Sequence, residues 1–137
     1  MSAPAWKIGK KLEERTLPPI DRVQLIKYAG ASGDYNPIHL TDDAATEAGL
    51  PGIIAHGMLT VATMGLLFLP HLEHGYVKTF RSRFSGMVFL GDTLRVGGRA
   101  TEVEESADGV LHVFDVYARR GEDTVASGEV GFLVYGD

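Results

Sequence analysis

The chain changes character near residue 75. Upstream, apolar positions recur at helical spacing between turn signals; downstream they alternate. Trp6 to Leu17 reads as a strand or extended arm, stopped by Pro18-Pro19. Asp21 is placed to cap a helix over Arg22–Ala31, with Val23, Leu25, Ile26 and Tyr28 as its apolar face. Ser32 to Leu40 holds Gly33, Asn36 and Pro37 and predicts a turn. Thr41 or Asp42 opens a short helix through Ala48, and Gly49 stops it. His56 to Leu69 predicts a helix without a polar face, ended by Pro70; such a helix must be covered on every side.

From Gly75 the signal is β. Tyr76, Phe80 and Phe84 fall on one face of an alternating run. Leu94, Val96 and Ala100 alternate with Arg95, Arg99 and Thr101. His112, Phe114, Val116 and Ala118 alternate with Val113, Asp115 and Tyr117, and Val130, Phe132 and Val134 are again in step. Asp108-Gly109 and Gly121-Glu122-Asp123 read as hairpin turns, so the strands are antiparallel. An apolar helix followed by such strands predicts an α+β fold in which one sheet wraps the helix. A single sheet leaves an edge and part of a face open, and a homodimer is an economical cover for both.

Composition narrows the function. The 137 residues suit one domain, taken as 1–137, with no repeat or linker dividing it. No cysteine is present, which excludes disulfides and thiolate chemistry. A formal charge of −5 without a basic run argues against nucleic acid or an anionic membrane as partner. Met1 to Thr16 lacks the apolar core of a signal peptide, and Met58 to Leu69 is too short to span a bilayer, so the sequence reads as cytoplasmic.

Two segments carry candidate chemistry. In Ser32-Gly33-Asp34-Tyr35-Asn36-Pro37-Ile38-His39, a turn can fold Asp34 and His39 onto one volume. A carboxylate and an imidazole are the common pair for proton transfer near neutral pH. The bland alternative has Asp34 capping a turn and His39 packing as a core histidine, with Asn36 closing an Asx turn. In Ile54-Ala55-His56-Gly57-Met58, the start of the apolar helix offers free N–H groups, and Gly57 admits a ligand oxygen close to the backbone. Equally, Gly57 can serve tight packing and His56 can cap the helix. The five histidines form no metal-ligand spacing, and no Gly-x-Ser-x-Gly or glycine-rich phosphate loop occurs, so neither a metal nor a cofactor is expected.

Together these segments resemble the MaoC-like, or R-specific enoyl-CoA hydratase 2, family. The resemblance is carried by Tyr28-Ala29-Gly30-Ala31-Ser32-Gly33-Asp34-Tyr35-Asn36-Pro37-Ile38-His39, Gly49, and Ile54 to Met58. Arg83-Phe84 and Val88 through Leu94 add to it, so the match spans roughly residues 5 to 135. It implies the hot-dog fold, usually dimeric. It implies that Asp34 and His39 hold and deprotonate a water, that the Gly57 N–H binds the thioester carbonyl, and that an (R)-3-hydroxyacyl thioester is the product of hydration. Asn36, His56 and Met58 flank these residues and are the candidate substrate-binding positions. The substrate would be an acyl-CoA or acyl-carrier-protein thioester. The family often places prolines around Val88 and before Gly91; Met87 and Leu90 stand there in this chain. Other readings are a hot-dog acyl-CoA thioesterase and a non-catalytic acyl-thioester-binding subunit. A heterodimer stands beside the homodimer.

Overall fold

The computed structural model describes residues 2–136. Five strands form one antiparallel sheet: β1 (Arg15–Thr16), β2 (Gly75–Phe84), β3 (Leu94–Ser106), β4 (Gly109–Arg120) and β5 (Asp123–Tyr135), in the order β1-β3-β4-β5-β2. The helices are α1 (Arg22–Ser32), α2 (Asp42–Glu47) and α3 (Gly57–Gly65), with 3-10 turns at Pro37–His39 and Leu66–His71. The sheet curves around α3, which is the hot-dog arrangement.

The strand alternation holds on β4, where His112, Phe114, Val116 and Ala118 all face inward and are buried. From β5, Ala126, Val130, Phe132 and Val134 meet them. Below α3, Phe68 fills the centre: it packs edge-on to Phe114 at 5.2 Å and stacks on Phe132 at 5.6 Å between ring centroids. Aromatic pairs at this spacing add to the burial of their area. The Trp6–Leu17 segment is a broken edge strand along β3. Gly9, Leu12 and Leu17 N–H donate to the carbonyls of Ala100, Gly98 and Leu94 at 2.8–2.9 Å.

Four expectations change in detail. The α1 face that packs inward is Leu25 and Ala29, while Val23 and Ile26 point to solvent. A bulge between Val77 and Thr79 inserts one residue into β2, so Tyr76 leaves the face of Phe80 and Phe84 and pairs with Tyr135 outside. Pro70 lies inside the 3-10 turn that extends α3, where its missing N–H is tolerated. Most consequential, α3 is not covered all round: Met58 is 58% exposed, Leu69 is also exposed, and Phe84 on the neighbouring edge strand β2 is 51% exposed. Phe84 lies on the strand that ends the sheet, so these exposed apolar side chains stand on the same side of the molecule as an edge that no strand of this chain pairs with among the described residues. Among the described residues, no helix is long and apolar enough to cross a membrane.

Candidate active site

The loop after α1 is built by its own side chains. Asp21 caps α1 by accepting from Gln24 N–H at 2.8 Å. The helix ends because Gly33 adopts φ 77°, a left-handed geometry suited to glycine, and returns its N–H to the Ala29 carbonyl. Three turns then follow in relay, each a side-chain oxygen accepting an N–H two residues on. Ser32 Oγ takes Asp34 N–H at 3.1 Å, Asp34 Oδ1 takes Asn36 N–H at 3.2 Å, and Asn36 Oδ1 takes Ile38 N–H at 3.3 Å. The relay delivers His39 to the end of the 3-10 turn, where it is buried.

These bonds reconcile the two readings of Asp34. One carboxylate oxygen closes the turn, and the other, Oδ2, stands 3.8 Å from His39 Nε2. The tautomer of His39 follows from its other nitrogen. Nδ1 lies 2.7 Å from the Ile54 carbonyl oxygen, which can only accept, so Nδ1 carries the proton. Neutral His39 therefore presents a lone pair at Nε2 toward a carboxylate oxygen. Two acceptors facing each other beyond hydrogen-bond range make a site for a bridging group with two donors.

His56 lies behind the pair. It is 1% exposed, its ring stacks on His39 at 4.0 Å with planes inclined by 26°, and Tyr28 from α1 meets it edge-on at 4.8 Å. Its Nε2 donates to the Asp34 carbonyl oxygen at 3.1 Å, leaving Nδ1 buried without a partner. Burial pushes the His56 pKa below the ordinary 6.5, against the opposing pull of the Asp34 carbonyl. His56 precedes α3 but makes no side-chain cap to it. Instead its own carbonyl accepts from Leu59 and Thr60 N–H at 3.1 and 3.4 Å, which leaves Gly57 and Met58 N–H at the open end of the helix. Gly57 sits under the Phe84 ring: a Cβ there would stand 3.1 Å from Phe84 Cε1.

Of the predicted site residues, Asp34, His39 and His56 come together, and Gly57 follows His56 directly. Asn36 is exposed at the rim with its side chain spent on the turn, and Met58 is exposed beside Gly57. Sequence reasoning missed the Ile54 carbonyl, Tyr28 and Phe84. A backbone acceptor has no sequence signature, and Tyr28 and Phe84 read as ordinary apolar positions. Ligand atoms of Asp34, His39 and His56 lie within 4.8 Å of one another, a donor set a cation could use. The ring geometry opposes it. An imidazole binds a metal along a lone pair in the ring plane, and two nearly parallel stacked rings cannot both point at one ion. Two clefts, about 670 Å³ and 530 Å³, lie on the sheet's outer face around Arg99, Asp115 and Arg83, and neither is lined by Asp34 or His39.

Comparisons with known proteins give the family and the fold. The family model described as "MaoC like domain" matches residues 4–118. The peroxisomal enoyl-CoA hydratase 2 of Arabidopsis thaliana is 32% identical over 121 residues, 86% of this chain and 35% of that protein. The fatty acid synthase subunit beta of Aspergillus oryzae is 42% identical over 72 residues, 50% of this chain. The chain thus spans 4% of that synthase subunit's length. Among solved structures, the R-hydratase PhaJ1 from Pseudomonas aeruginosa superposes with a TM-score of 0.80 at 27% identity, over 96% of this chain and 84% of that one.

Proposed function

The chain belongs to the MaoC-like domain family, and from that premise we propose that it hydrates trans-2-enoyl thioesters to (R)-3-hydroxyacyl thioesters and catalyses the reverse dehydration. The observation that carries this reading is the 3.8 Å gap between the His39 Nε2 lone pair and Asp34 Oδ2. Water has two donors and fits two facing acceptors. Held so, its own lone pairs point away from the pair toward a substrate carbon.

The chemistry needs little else. In an enoyl thioester the carbonyl draws charge from the β-carbon, and the water oxygen bonds there. One water proton stays on the new 3-hydroxyl. The other passes to the Asp34–His39 pair and returns to the α-carbon, so the pair ends as it began. A carboxylate and a neutral imidazole nitrogen are both proton acceptors, so either member of the pair can take the proton that water gives up. Negative charge grows on the thioester oxygen meanwhile. Gly57 N–H, at the positive end of α3, serves as the donor for that oxygen, and it acts most strongly where charge is greatest, in the transition state. Asn36 and Met58 line the approach.

The substrate is an acyl thioester of coenzyme A or acyl carrier protein, and the reaction calls on no cofactor. A single chain leaves the site as an open trough, with Asp34, Met58 and Phe84 about half exposed. A second copy laid on the β2 edge would wall the trough and exclude water from the acyl chain. A homodimer is the proposed working form, and light scattering of the purified chain tests it.

The activity test follows the ultraviolet absorbance of the conjugated enoyl thioester on mixing with the chain alone, using trans-2-enoyl-CoA and the matching carrier-protein substrate. Loss of absorbance with a 3-hydroxyacyl product supports the reading. Free thiol without that product would transfer the chain to the thioesterases, and binding without turnover would make it a non-catalytic subunit.

A further inference from the structure

We propose that His56 is a positioning residue for the Asp34–His39 pair: it fastens the main chain of Asp34 through its Nε2–H while its ring fixes the plane of His39. The consequence for turnover rests on the function proposed above; the fastening itself does not. His56 is 22 residues from Asp34, yet its Nε2 reaches the Asp34 carbonyl at 3.1 Å while its ring lies 4.0 Å from the ring of His39. One side chain therefore touches both members of the pair. Being 1% exposed, it has no face left for a substrate.

Its surroundings suit this work. Asp34 lies on a loop whose local bonds are turns within the loop, each bridging two residues. Such turns shape a loop without anchoring it. The anchors come from the 54–56 segment, which sends Ile54 carbonyl to His39 and His56 Nε2–H to Asp34. That segment is itself held to the core by Ala55 N–H on the Val88 carbonyl at 2.7 Å. Tyr28 of α1 also contacts the His56 ring, tilted by 61° at 4.8 Å between centroids, so His56 is held by a ring from α1 as well as by His39. The bond to a carbonyl requires the proton on Nε2, and Nδ1 faces no acceptor. A second proton on His56 would be a buried donor without a partner, so the ring works as a neutral donor and takes no part in proton transfer.

The test separates donor from ring. His56→Phe keeps a ring against His39 and loses the N–H. His56→Gln and His56→Met have similar length and differ in the terminal donor. The expected result for His56→Phe is a fall in kcat of tenfold or more with KM within twofold. Amide exchange over residues 34–39 should accelerate by tenfold or more while β4 and β5 amides keep wild-type rates. His56→Gln should exceed His56→Met in kcat by at least fivefold, a comparison that holds even if the Phe variant does not fold. A rise in KM at unchanged kcat would assign His56 to substrate contact and overturn the proposal. So would wild-type exchange in the loop, or equal rates for Gln and Met. A wild-type chain inert toward every enoyl thioester, but with loop exchange that speeds up on losing the donor, would sink the hydratase reading and leave the fastening intact.

Discussion

His39 donates from Nδ1 to the carbonyl oxygen of Ile54 at 2.7 Å, and this bond decides which nitrogen faces Asp34. Substitutions at the pair can respect or break the supporting bonds. Asp34→Asn retains an oxygen to accept Asn36 N–H, so the turn survives while the carboxylate is lost. His39→Asn retains a short N–H donor toward Ile54 and loses Nε2. Both should fold with wild-type melting curves and lose turnover by roughly 10²- to 10⁴-fold. His39→Ala should lose the same turnover and also stability, by about 1–3 kcal/mol, because the Ile54 carbonyl is left unpaired. Enoyl thioester absorbance and thermal unfolding read the two effects separately. Wild-type turnover in Asp34→Asn would remove the carboxylate from the chemistry.

Gly57 tests the helix end. A Cβ at this position meets the far end of the Phe84 ring, which is half exposed and can yield. Gly57→Ala should therefore unfold within about 1 kcal/mol of wild type. Its kcat should nonetheless fall, by tenfold or more, since the added methyl stands beside the N–H proposed to meet the thioester oxygen. Unimpaired kcat would show that the carbonyl binds elsewhere.

Much of this architecture is legible in the residue pattern, and the illegible parts share a cause. The caps at Asp21 and Thr41, the glycine stop at Gly49 and the inward faces of β4 and β5 are set by contacts within a few residues, so periodicity and turn chemistry reveal them. The Asp34–His39 pairing is similarly local, made by a six-residue turn. The bulge after Val77 is not, because it depends on the register of β5. Nor is the His56–Asp34 bond, which joins two segments brought together by tertiary packing alone. The exposed strip of Met58, Leu69 and Phe84 escapes for the opposite reason: apolar sequence says that a surface avoids water and does not say which molecule covers it.

The edge strand β2 carries Phe84 over Gly57 and Phe80 near Gly65, so its seating on β5 sets the height of the rings above α3. Gly128 on β5 controls that seating. A Cβ there would collide with the Arg81 carbonyl oxygen of β2, a backbone atom that cannot rotate aside. Gly128→Ala should cost about 1–3 kcal/mol, as overpacking does, seen as a lowered melting temperature. Activity should fall further than stability explains, because Phe84 moves with its strand. A variant with wild-type melting and wild-type turnover would show that β2 seating has slack.

The far end of the core predicts a pH response distinct from catalysis. Trp6, the sole tryptophan, sits edge-on to His71 at 4.8 Å and to His112 at 5.1 Å. Burial lowers the pKa of both histidines below the ordinary 6.5, and His74 adds to the lowering at His71. The unfolded chain then binds more protons than the folded one as pH falls below about 6.5, so stability declines with falling pH in that window. The decline levels off once pH is below the depressed folded values. Glu14 has the opposite chemistry but the same direction: its bond from Tyr117 lowers its pKa, and its contribution is lost only below about 4.5. The histidine effect, to which the buried His56 adds in the same direction, can thus be isolated between pH 6.5 and 4.5. Trp6 fluorescence during urea unfolding should show the midpoint dropping across that range. His112→Leu removes one buried titrating group and should flatten the drop. A midpoint constant from pH 6.5 to 4.5 in the wild type, or a slope unchanged in His112→Leu, would show that His112 takes up its proton equally in the folded and unfolded states.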